Sequence, residues 1–413
     1  MNCPVKVLYV SYDGMTDSLG QSQVIPYLAG LSQIGFEIHL LSCEKKERFE
    51  ANGKKIQEIL SKRNINWYPI HYTAKPPVIS TIYDIYALKK TARKLFAEHD
   101  FRLVHCRSYI AAFVGLMLKR KKNIPFVFDM RGFWADERVD GNLWNLKNPI
   151  FKSVYKYFKK KESEFLSESD HVISLTKNAK NEIITHFNSP IESKNISVIP
   201  CCVDTDIFSC KNISEKDQAT LRDKLKISVD DFVVSYSGSI GTWYLLDEML
   251  DFYNVLLKTY KNARFLLITH DDSNIIRNKV SEKGIDANKI IITKASREQM
   301  PLLLSLSSVS LFFIKPAYSK KASSPTKMGE LMSLGIPFIS NKGIGDIDKL
   351  IAENKVGVLV DEFSEAAYEH AVLTLNDLLK TSKQDIVDTA LRLYSLKNGV
   401  NVYRDVYTQL IGT

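Results

Sequence analysis

Short apolar runs alternate with longer amphipathic segments along almost the whole chain. Runs of about four to seven mostly apolar residues predict buried strands, and segments with an apolar period near 3.6 predict helices between them. In the first half, residues 21–34 and 108–119 show the helical period. The strands predicted there are residues 5–11, 37–41, 103–106, 126–129, 171–174 and 196–199.

The same pattern starts again after Pro200. Its predicted strands are residues 232–236, 263–268, 289–292, 309–313, 337–340 and 356–359, and its helices include 244–260, 272–283 and 325–334. Strand–helix alternation of this kind produces right-handed parallel crossovers and doubly wound sheets. The restart therefore predicts two α/β domains, at residues 1–200 and 226–390, with a linker at 201–225 and a C-terminal helix at 391–413.

Positive charge is concentrated in the first half of a chain that is otherwise ordinary for a globular protein, with 45% apolar and 25% charged residues. Residues 1–199 contain 30 Lys and Arg against 20 Asp and Glu, whereas the remainder is nearly balanced. A basic half indicates an anionic partner, which is nucleic acid, a phosphorylated ligand or an acidic membrane surface. A solvated basic face with no partner is the alternative.

The six cysteines form no CxxC pair, which favours free thiols in a reducing cytosol over a metal site or disulfides. No stretch of 18 apolar residues predicts a membrane-spanning helix, and the first residues lack the features of a secretion signal. We therefore expect a cytoplasmic protein.

Ligands of parallel sheets bind beyond the carboxyl ends of the strands, so the loops after strands are where chemistry is expected. After the first strand, Gly20 and Gln21 open a helix, where a glycine lets a ligand approach the backbone. After the first strand of the second domain, Gly238, Ser239 and Gly241 form a small-residue turn suited to phosphate or sugar hydroxyls. Ordinary tight turns are the alternative for both loops.

The most specific local pattern is the segment from residue 315 to residue 337. Ser324 suits a helix N-cap and Pro325 the first helical position, while Gly335 suits the residue after the helix. Within that helix, Thr326 and Glu330 share a face, and Lys327 is three residues before Glu330. A cation, free N–H groups and a carboxylate suit a diphosphate and a ribose diol, whereas the alternative is a surface Lys–Glu pair on a capped helix.

Charged and aromatic residues also follow a strand of the first domain, where Asp129, Arg131, Trp134 and Asp136 are clustered. Trp134 suits stacking on a sugar face, and either aspartate suits accepting a hydrogen bond from an acceptor hydroxyl. An internal ion-pair network is the alternative. His105 and Arg107 end the preceding strand, and a structural role is the alternative for His105.

Together these motifs resemble the retaining glycosyltransferases of family 4, over nearly the whole chain. The resemblance is carried by the Gly-rich first loop, by Ile199-Pro200 through Val203-Asp204 to Phe208, by Ser237-Gly238-Ser239, and by Glu330 through Gly335-Ile336-Pro337. The chain departs from the family in two places. Ala322 stands where the first glutamate of the Glu-x7-Glu motif is expected, and Ser239 with Thr242 or Trp243 replaces the usual basic pair, for which Lys327, Lys320 or Lys321 would compensate.

The resemblance implies a GT-B fold, in which two Rossmann-like domains face a cleft and the C-terminal helix returns to the first domain. It implies transfer of a hexose-type sugar from a UDP- or GDP-linked donor to a glycan or lipid-linked acceptor in cell-surface polysaccharide assembly, with no cofactor and no metal. A GT-B nucleotide-sugar epimerase and a non-catalytic basic membrane-binding protein are the alternatives. The basic aromatic helix at 151–166 suits peripheral contact with an anionic inner membrane, or else packs its aromatic stripe into the core.

The residues expected to take part fall into three groups. The expected catalytic residues are Asp129, Arg131 and Lys327. The residues expected to bind the nucleotide sugar are Gly20, Gln21, Gly238, Ser239, Gly241, Ser324, Thr326, Lys327 and Glu330. The residues expected to bind the acceptor are His105, Arg107, Trp134 and Asp136.

Overall fold

The computed structural model describes residues 4–187 and 191–412, which form two α/β units. The first unit runs to Cys202 and includes the C-terminal segment from Leu396 onward, and the second unit is Val203–Ser395. Residues 203–225, which the sequence predicts as a linker, thus belong to the second unit.

The first unit is built on a seven-stranded parallel sheet in the order β3-β2-β1-β4-β5-β6-β7. Its strands are β1 (Val5–Ser11), β2 (Phe36–Glu44), β3 (Ile65–His71), β4 (Leu103–Arg107), β5 (Phe126–Asp129), β6 (His171–Ser174) and β7 (Ile196–Val198). Its helices are α1 (Ser18–Gln23), α2 (Ile25–Gln33), α3 (Lys46–Ser61), α4 (Ile79–Glu98), α5 (Ser108–Lys122), α6 (Trp134–Asp140), α7 (Pro149–Glu168) and α8 (Lys177–His186).

Two features of the first unit differ from the sequence prediction. Strand β3 was not predicted: it lies at the edge of the sheet beside β2, and Asn66, Pro69 and His71 interrupt its apolar run. The helix predicted at 21–34 is two helices, α1 and α2, which separate at Val24 because its backbone leaves the helical region and Pro26 follows.

The second unit is built on a six-stranded parallel sheet in the order β10-β9-β8-β11-β12-β13. Its strands are β8 (Phe232–Ser237), β9 (Ala263–Ile268), β10 (Ile290–Thr293), β11 (Val309–Phe312), β12 (Phe338–Asn341) and β13 (Gly357–Val360). Its helices are α9 (Glu215–Leu225), α10 (Leu246–Thr259), α11 (Ser273–Glu282), α12 (Met300–Leu304), α13 (Thr326–Ser333), α14 (Ile347–Glu353), α15 (Glu365–Leu378) and α16 (Lys383–Tyr394).

The last helix, α17 (Leu396–Ile411), packs on α2 in the first unit. Gly30 makes this close approach possible, because a β-carbon there would lie 2.6 Å from Cγ2 of Val400. Tyr403 and Tyr407 are buried in the same core. The C-terminal helix is therefore part of the first unit's hydrophobic core and of the polar cluster described below.

Cys43, Cys106, Cys201, Cys202 and Cys210 form no disulfide, and Cys3 lies outside the described residues. Among the helices within 4–187 and 191–412, none has the length and apolarity needed to cross a bilayer. The aromatic stripe of α7 packs inward through Phe158 and Phe165, as the core-packing alternative for this helix requires.

Candidate functional site

The sheet of the second unit reverses its strand order between β8 and β11, and the loops after these two strands hold the predicted donor residues. The loop after β8 is held in place by hydrogen bonds to its backbone. Gly238 has a φ of +130° and donates its N–H to the carbonyl of Ile268 at 3.0 Å. The Tyr236 hydroxyl donates to the Ser239 carbonyl, and the Ile240 N–H donates to the Asp271 carboxylate.

Gly238 and Gly241 differ in what surrounds them. A β-carbon on Gly238 would lie 3.1 Å from Nζ of Lys327, whereas one on Gly241 would meet nothing within 4 Å. Both glycines have a positive φ, and Gly238, Ser239 and Gly241 are exposed. The loop therefore brings Gly238 next to Lys327 and leaves Ser239 and Gly241 at the open surface.

Helix α13 starts one residue later than the sequence predicts. Pro325 occupies the N-cap position with extended backbone, so Ser324 lies before the cap and is not the N-cap. The C-terminus forms as predicted, because Gly335 adopts a φ of +69° and the Ile336 N–H donates to the Leu331 carbonyl at 3.0 Å. Thr326 and Lys327 are thus the first two residues of the helix.

Lys327 is buried, and its ammonium has no hydrogen-bond partner. Nζ lies 3.7 Å from the ring centroid of Tyr244 and 4.3 Å from that of Tyr236. Burial lowers the pKa of Lys327 to about 7, although Glu330 opposes the shift. A buried, unpartnered ammonium beside an exposed glycine turn is arranged to receive an anion.

Glu330 is paired with a residue that the sequence analysis missed. Arg297, in the loop after β10, donates to the Glu330 carboxylate at 3.1 Å and stacks on Phe208 with its guanidinium 5.2 Å from the ring centroid. Burial raises the pKa of Glu330, and Arg297 opposes the shift. The alternative of a surface pair between Lys327 and Glu330 is wrong, because Lys327 is buried among aromatic rings. Arg297 is 33 residues from Glu330, and no local pattern links them.

The other basic residues of this segment lie against aromatic rings. Nζ of Lys320 is 3.5 Å from the ring centroid of Trp243, and Nζ of Lys321 is 5.1 Å from that of Tyr318. Ala322, at the position of the missing family glutamate, is buried in the short 3-10 turn Tyr318–Ala322.

In the first unit, the loop after β1 is held by a buried glutamate. Glu44 accepts hydrogen bonds from the backbone N–H of Met15 at 2.7 Å and from the hydroxyl of Thr16 at 2.6 Å. Gly20 is needed for packing within the chain, since a β-carbon there would lie 2.2 Å from the Gly14 carbonyl oxygen. The glycine was expected to admit a ligand, but its free space is filled by this loop. Gln21 is exposed and donates to the Thr16 carbonyl at 3.3 Å.

His105, Arg107, Asp129 and Arg131 form one buried cluster at the carboxyl ends of β4 and β5. Asp129 Oδ2 lies 3.5 Å from Nε2 of His105 and 3.9 Å from Nη1 of Arg107, and Asp129 Oδ1 lies 3.9 Å from Nη1 of Arg131. Helix α17 closes the cluster, because Tyr403 donates to Asp129 at 3.0 Å.

Burial and neighbouring charges set the protonation of Asp129 and His105 in this cluster. Burial alone would raise the pKa of Asp129, but Arg131, His105 and Arg107 outweigh it and lower this pKa. Burial lowers the pKa of His105, whose Nδ1 is 2.6 Å from the Tyr407 hydroxyl. Nη1 of both arginines lacks a hydrogen-bond partner. The cluster is therefore an ionised aspartate among cations that retain unused donors.

Trp134 and Asp136 belong to a separate cluster. Asp136 accepts hydrogen bonds from the Tyr155 hydroxyl at 2.7 Å and from Lys159 at 2.9 Å. Trp134 is packed among aromatic rings, with its centroid 4.8 Å from that of Phe158. Both residues thus have partners within the chain. For Asp136 the structure shows the internal ion pair that was the alternative to acceptor binding. Across 4–187 and 191–412, no group of three or more His, Cys, Asp or Glu residues is arranged to hold a metal ion.

Comparison with known proteins identifies the chain. The family model described as Glycosyltransferase Family 4 matches residues 21–207, and the model described as Glycosyl transferases group 1 matches residues 217–385. The chain is a family 4 glycosyltransferase. No curated protein sequence shows significant similarity to it.

Solved structures show the fold of this family 4 glycosyltransferase. A glycosyltransferase from Rickettsia africae matches with a TM-score of 0.74 at 16% identity, over 99% of each chain. HepE of Anabaena in complex with UDP matches with a TM-score of 0.71 at 13% identity, over 98% of this chain and 100% of that one. WaaG, a glycosyltransferase involved in lipopolysaccharide biosynthesis, matches with a TM-score of 0.66 at 14% identity, over 96% of this chain and 99% of that one. The two parallel-sheet units are thus the Rossmann-like domains of a GT-B fold.

Proposed function

We propose that this glycosyltransferase moves a hexose-type sugar, with retention of configuration, from a nucleoside diphosphate sugar to a glycan or lipid-linked acceptor. The observation that carries the proposal is the buried ammonium of Lys327, which has no hydrogen-bond partner and lies beside Gly238. HepE, which shares the fold, binds UDP. WaaG acts in lipopolysaccharide biosynthesis, which supports cell-surface polysaccharide assembly as the setting.

The donor diphosphate is proposed to lie over Gly238, where a side chain would block its approach. Lys327 and the backbone N–H groups at the start of α13 would face the diphosphate, and Thr326 would add a hydroxyl. As the bond to the sugar breaks, negative charge develops on the leaving diphosphate, and these fixed donors stabilise it without rearranging. Glu330, held by Arg297, is proposed to accept hydrogen bonds from the ribose hydroxyls.

The cluster around Asp129 is proposed to serve the acceptor side of the reaction. Asp129 is fully buried and is closed over by Tyr403, so it acts by orienting Arg131 and Arg107. Arg131 itself adopts a φ of +57°, a conformation that a residue with a side chain adopts only when its surroundings require it. We propose that Arg131, whose side chain is 8% exposed, contacts the acceptor, that the buried Arg107 supports it through Asp129, and that His105 positions Asp129.

The test is a thermal-shift panel of UDP, GDP, ADP and CMP and their sugars, each with and without EDTA, followed by turnover assays. One nucleotide should raise the melting temperature by mass action, and EDTA should leave the shift unchanged. Lys327→Ala should abolish that shift and Lys327→Arg should keep part of it. Lys349→Ala, at a lysine that is 60% exposed on α14 of the same unit, serves as the control. Wild-type turnover in Lys327→Ala would refute the site assignment. Release of an epimer or a free sugar without an acceptor would favour the epimerase.

A further inference from the structure

The first two turns of α4 have exposed apolar residues and buried polar residues. Ile79 is 64% exposed, Ile82 62%, Tyr83 60% and Tyr86 61%. The spacing of these four residues places them on one face of the helix. The opposite, buried face carries Ser80 and Asp84 in these turns and becomes apolar from Leu88 onward. A helix packed on a globular core normally shows the reverse pattern. The exposed apolar face therefore indicates an interaction surface.

The rotation of this helix is fixed by the buried Asp84. Its carboxylate accepts a hydrogen bond from the Tyr12 hydroxyl at 2.9 Å and from the backbone N–H of Thr73 at 3.2 Å. Turning the isoleucines inward would expel Asp84 from these partners and leave Tyr12 and Thr73 without an acceptor. The outward position of the apolar face is therefore set by the packing of the first unit.

The same face becomes basic farther along α4. Lys89, Lys90 and Arg93 continue the spacing set by Ile82, Tyr83 and Tyr86, so the whole face extends roughly 21 Å from residue 79 to residue 93. Burial and then the positive charges of Arg93, Lys161 and Lys121 lower the pKa of Lys89, whose Nζ lies 5.2 Å from the ring centroid of Phe113 in α5.

The basic end of this face is not neutralised by ion pairs. Lys119 and Arg120 of α5 pair with acidic residues near the end of α7, whereas Lys89, Lys90 and Arg93 form no ion pair within the described residues. Residues 75–122 contain eleven Lys and Arg against only three acidic residues, Asp84, Glu98 and Asp100. Asp84 is buried and faces inward. An apolar stripe with aromatic residues that leads into a basic one is complementary to the hydrocarbon boundary and the negative headgroups of an anionic bilayer.

We propose that the exposed face of α4 docks this protein on an anionic lipid bilayer. Ile79, Ile82, Tyr83 and Tyr86 enter the interface, where aromatic rings are favoured, and Lys89, Lys90 and Arg93 contact the headgroups. The docking helix is therefore α4, whereas the stripe of α7 is part of the core. This inference goes beyond the proposed reaction, because it depends on no donor and no acceptor.

The first test is flotation of the full chain with vesicles of phosphatidylcholine containing 30% phosphatidylglycerol, against vesicles of phosphatidylcholine alone. Wild type should bind the anionic vesicles more tightly, and 0.5 M NaCl should weaken binding. Ile79→Ser with Ile82→Ser should lower the affinity by at least about tenfold, since each isoleucine loses apolar burial. Leu373→Ser is the matched control, because Leu373 is 66% exposed on α15 of the second unit. This variant should bind the vesicles as wild type does.

A second measurement reports insertion directly. Trp introduced as Tyr83→Trp should shift its emission to the blue when anionic vesicles are added, and Leu373→Trp should not. Because all these positions are exposed, the melting temperature and UDP-sugar binding should be unchanged in each variant, which separates failure of docking from failure of the proposed transfer. Equal binding by wild type and the double isoleucine variant would overturn the proposal. The proposal would also be overturned if wild type formed a dimer without lipid and the double isoleucine variant did not. In that case a second copy of the chain would cover the face.

Discussion

Replacing Lys327 with methionine should stabilise the second unit at neutral pH while removing donor binding. Methionine has a similar length and places an apolar group among Tyr236, Tyr244 and Phe312, which surround the lysine. Burial lowers the pKa of Lys327 from 10.5 to about 7, whereas the unfolded chain keeps the ordinary value. The folded state therefore disfavours the charged form, and methionine removes that cost.

The magnitude follows from the difference in bound protons. Between pH 7 and pH 10.5 the unfolded chain binds a proton that the folded chain has largely released. The contribution of Lys327 to stability therefore improves with rising pH, by up to about 1.4 kcal/mol per pH unit. At pH 7 the lowered pKa of Lys327 reduces the free energy of unfolding by about 4 kcal/mol. Lost cation–π contacts offset part of the gain, so we expect the variant to be about 2 kcal/mol more stable at pH 7.

The assay is thermal unfolding of wild type and Lys327→Met at pH values from 6.5 to 10. For a unit of this size, about 2 kcal/mol corresponds to a rise of about 4–8 °C in melting temperature. The difference should be largest at and below pH 7 and should shrink towards zero near pH 10, where both chains carry an uncharged side chain. Lys321→Met, at an exposed lysine of the same segment, should show no such pH-dependent difference.

Two results would refute this reasoning. One is a Lys327→Met variant that is less stable than wild type at pH 7. The other is a difference that stays constant from pH 7 to pH 10, because that would show that Lys327 keeps its ordinary pKa in the folded protein. If the variant is stabilised and also loses the UDP-sugar shift, the lysine is retained for its ligand at the expense of stability.

Two further predictions concern the first unit. Gly20→Ala should destabilise it by more than about 2 kcal/mol, because a β-carbon would overlap the Gly14 carbonyl, whereas Gly35→Ala, with open space but a φ of +105°, should cost about 1 kcal/mol. Equal melting temperatures for the two variants would contradict this packing role. Tyr403→Phe should cost about 1–3 kcal/mol, because it removes a hydrogen bond from the buried carboxylate of Asp129. An unchanged denaturation midpoint would show that this bond does not form.

Local sequence determined most of the strands and the end of α13. Buried parallel strands are nearly continuous apolar runs, so twelve of the thirteen were predicted within a few residues. Gly335 ended α13 as predicted, because a positive φ after a helix is a local preference for glycine. Strand β3 was missed because Asn66, Pro69 and His71 interrupt its apolar run, whereas the other edge strands β7, β10 and β13 were predicted.

Tertiary structure decided which candidate residues have partners. Arg297 meets Glu330 across 33 residues, and Tyr403 meets Asp129 across 274, so neither pair leaves a local pattern. The same holds for α4, whose buried face no local pattern specifies. That choice follows from hydrogen bonds between Asp84, Tyr12 and Thr73. Local pattern reflects the preferences of neighbouring residues, whereas the pairing and burial of a charge depend on segments that meet only when the chain has folded.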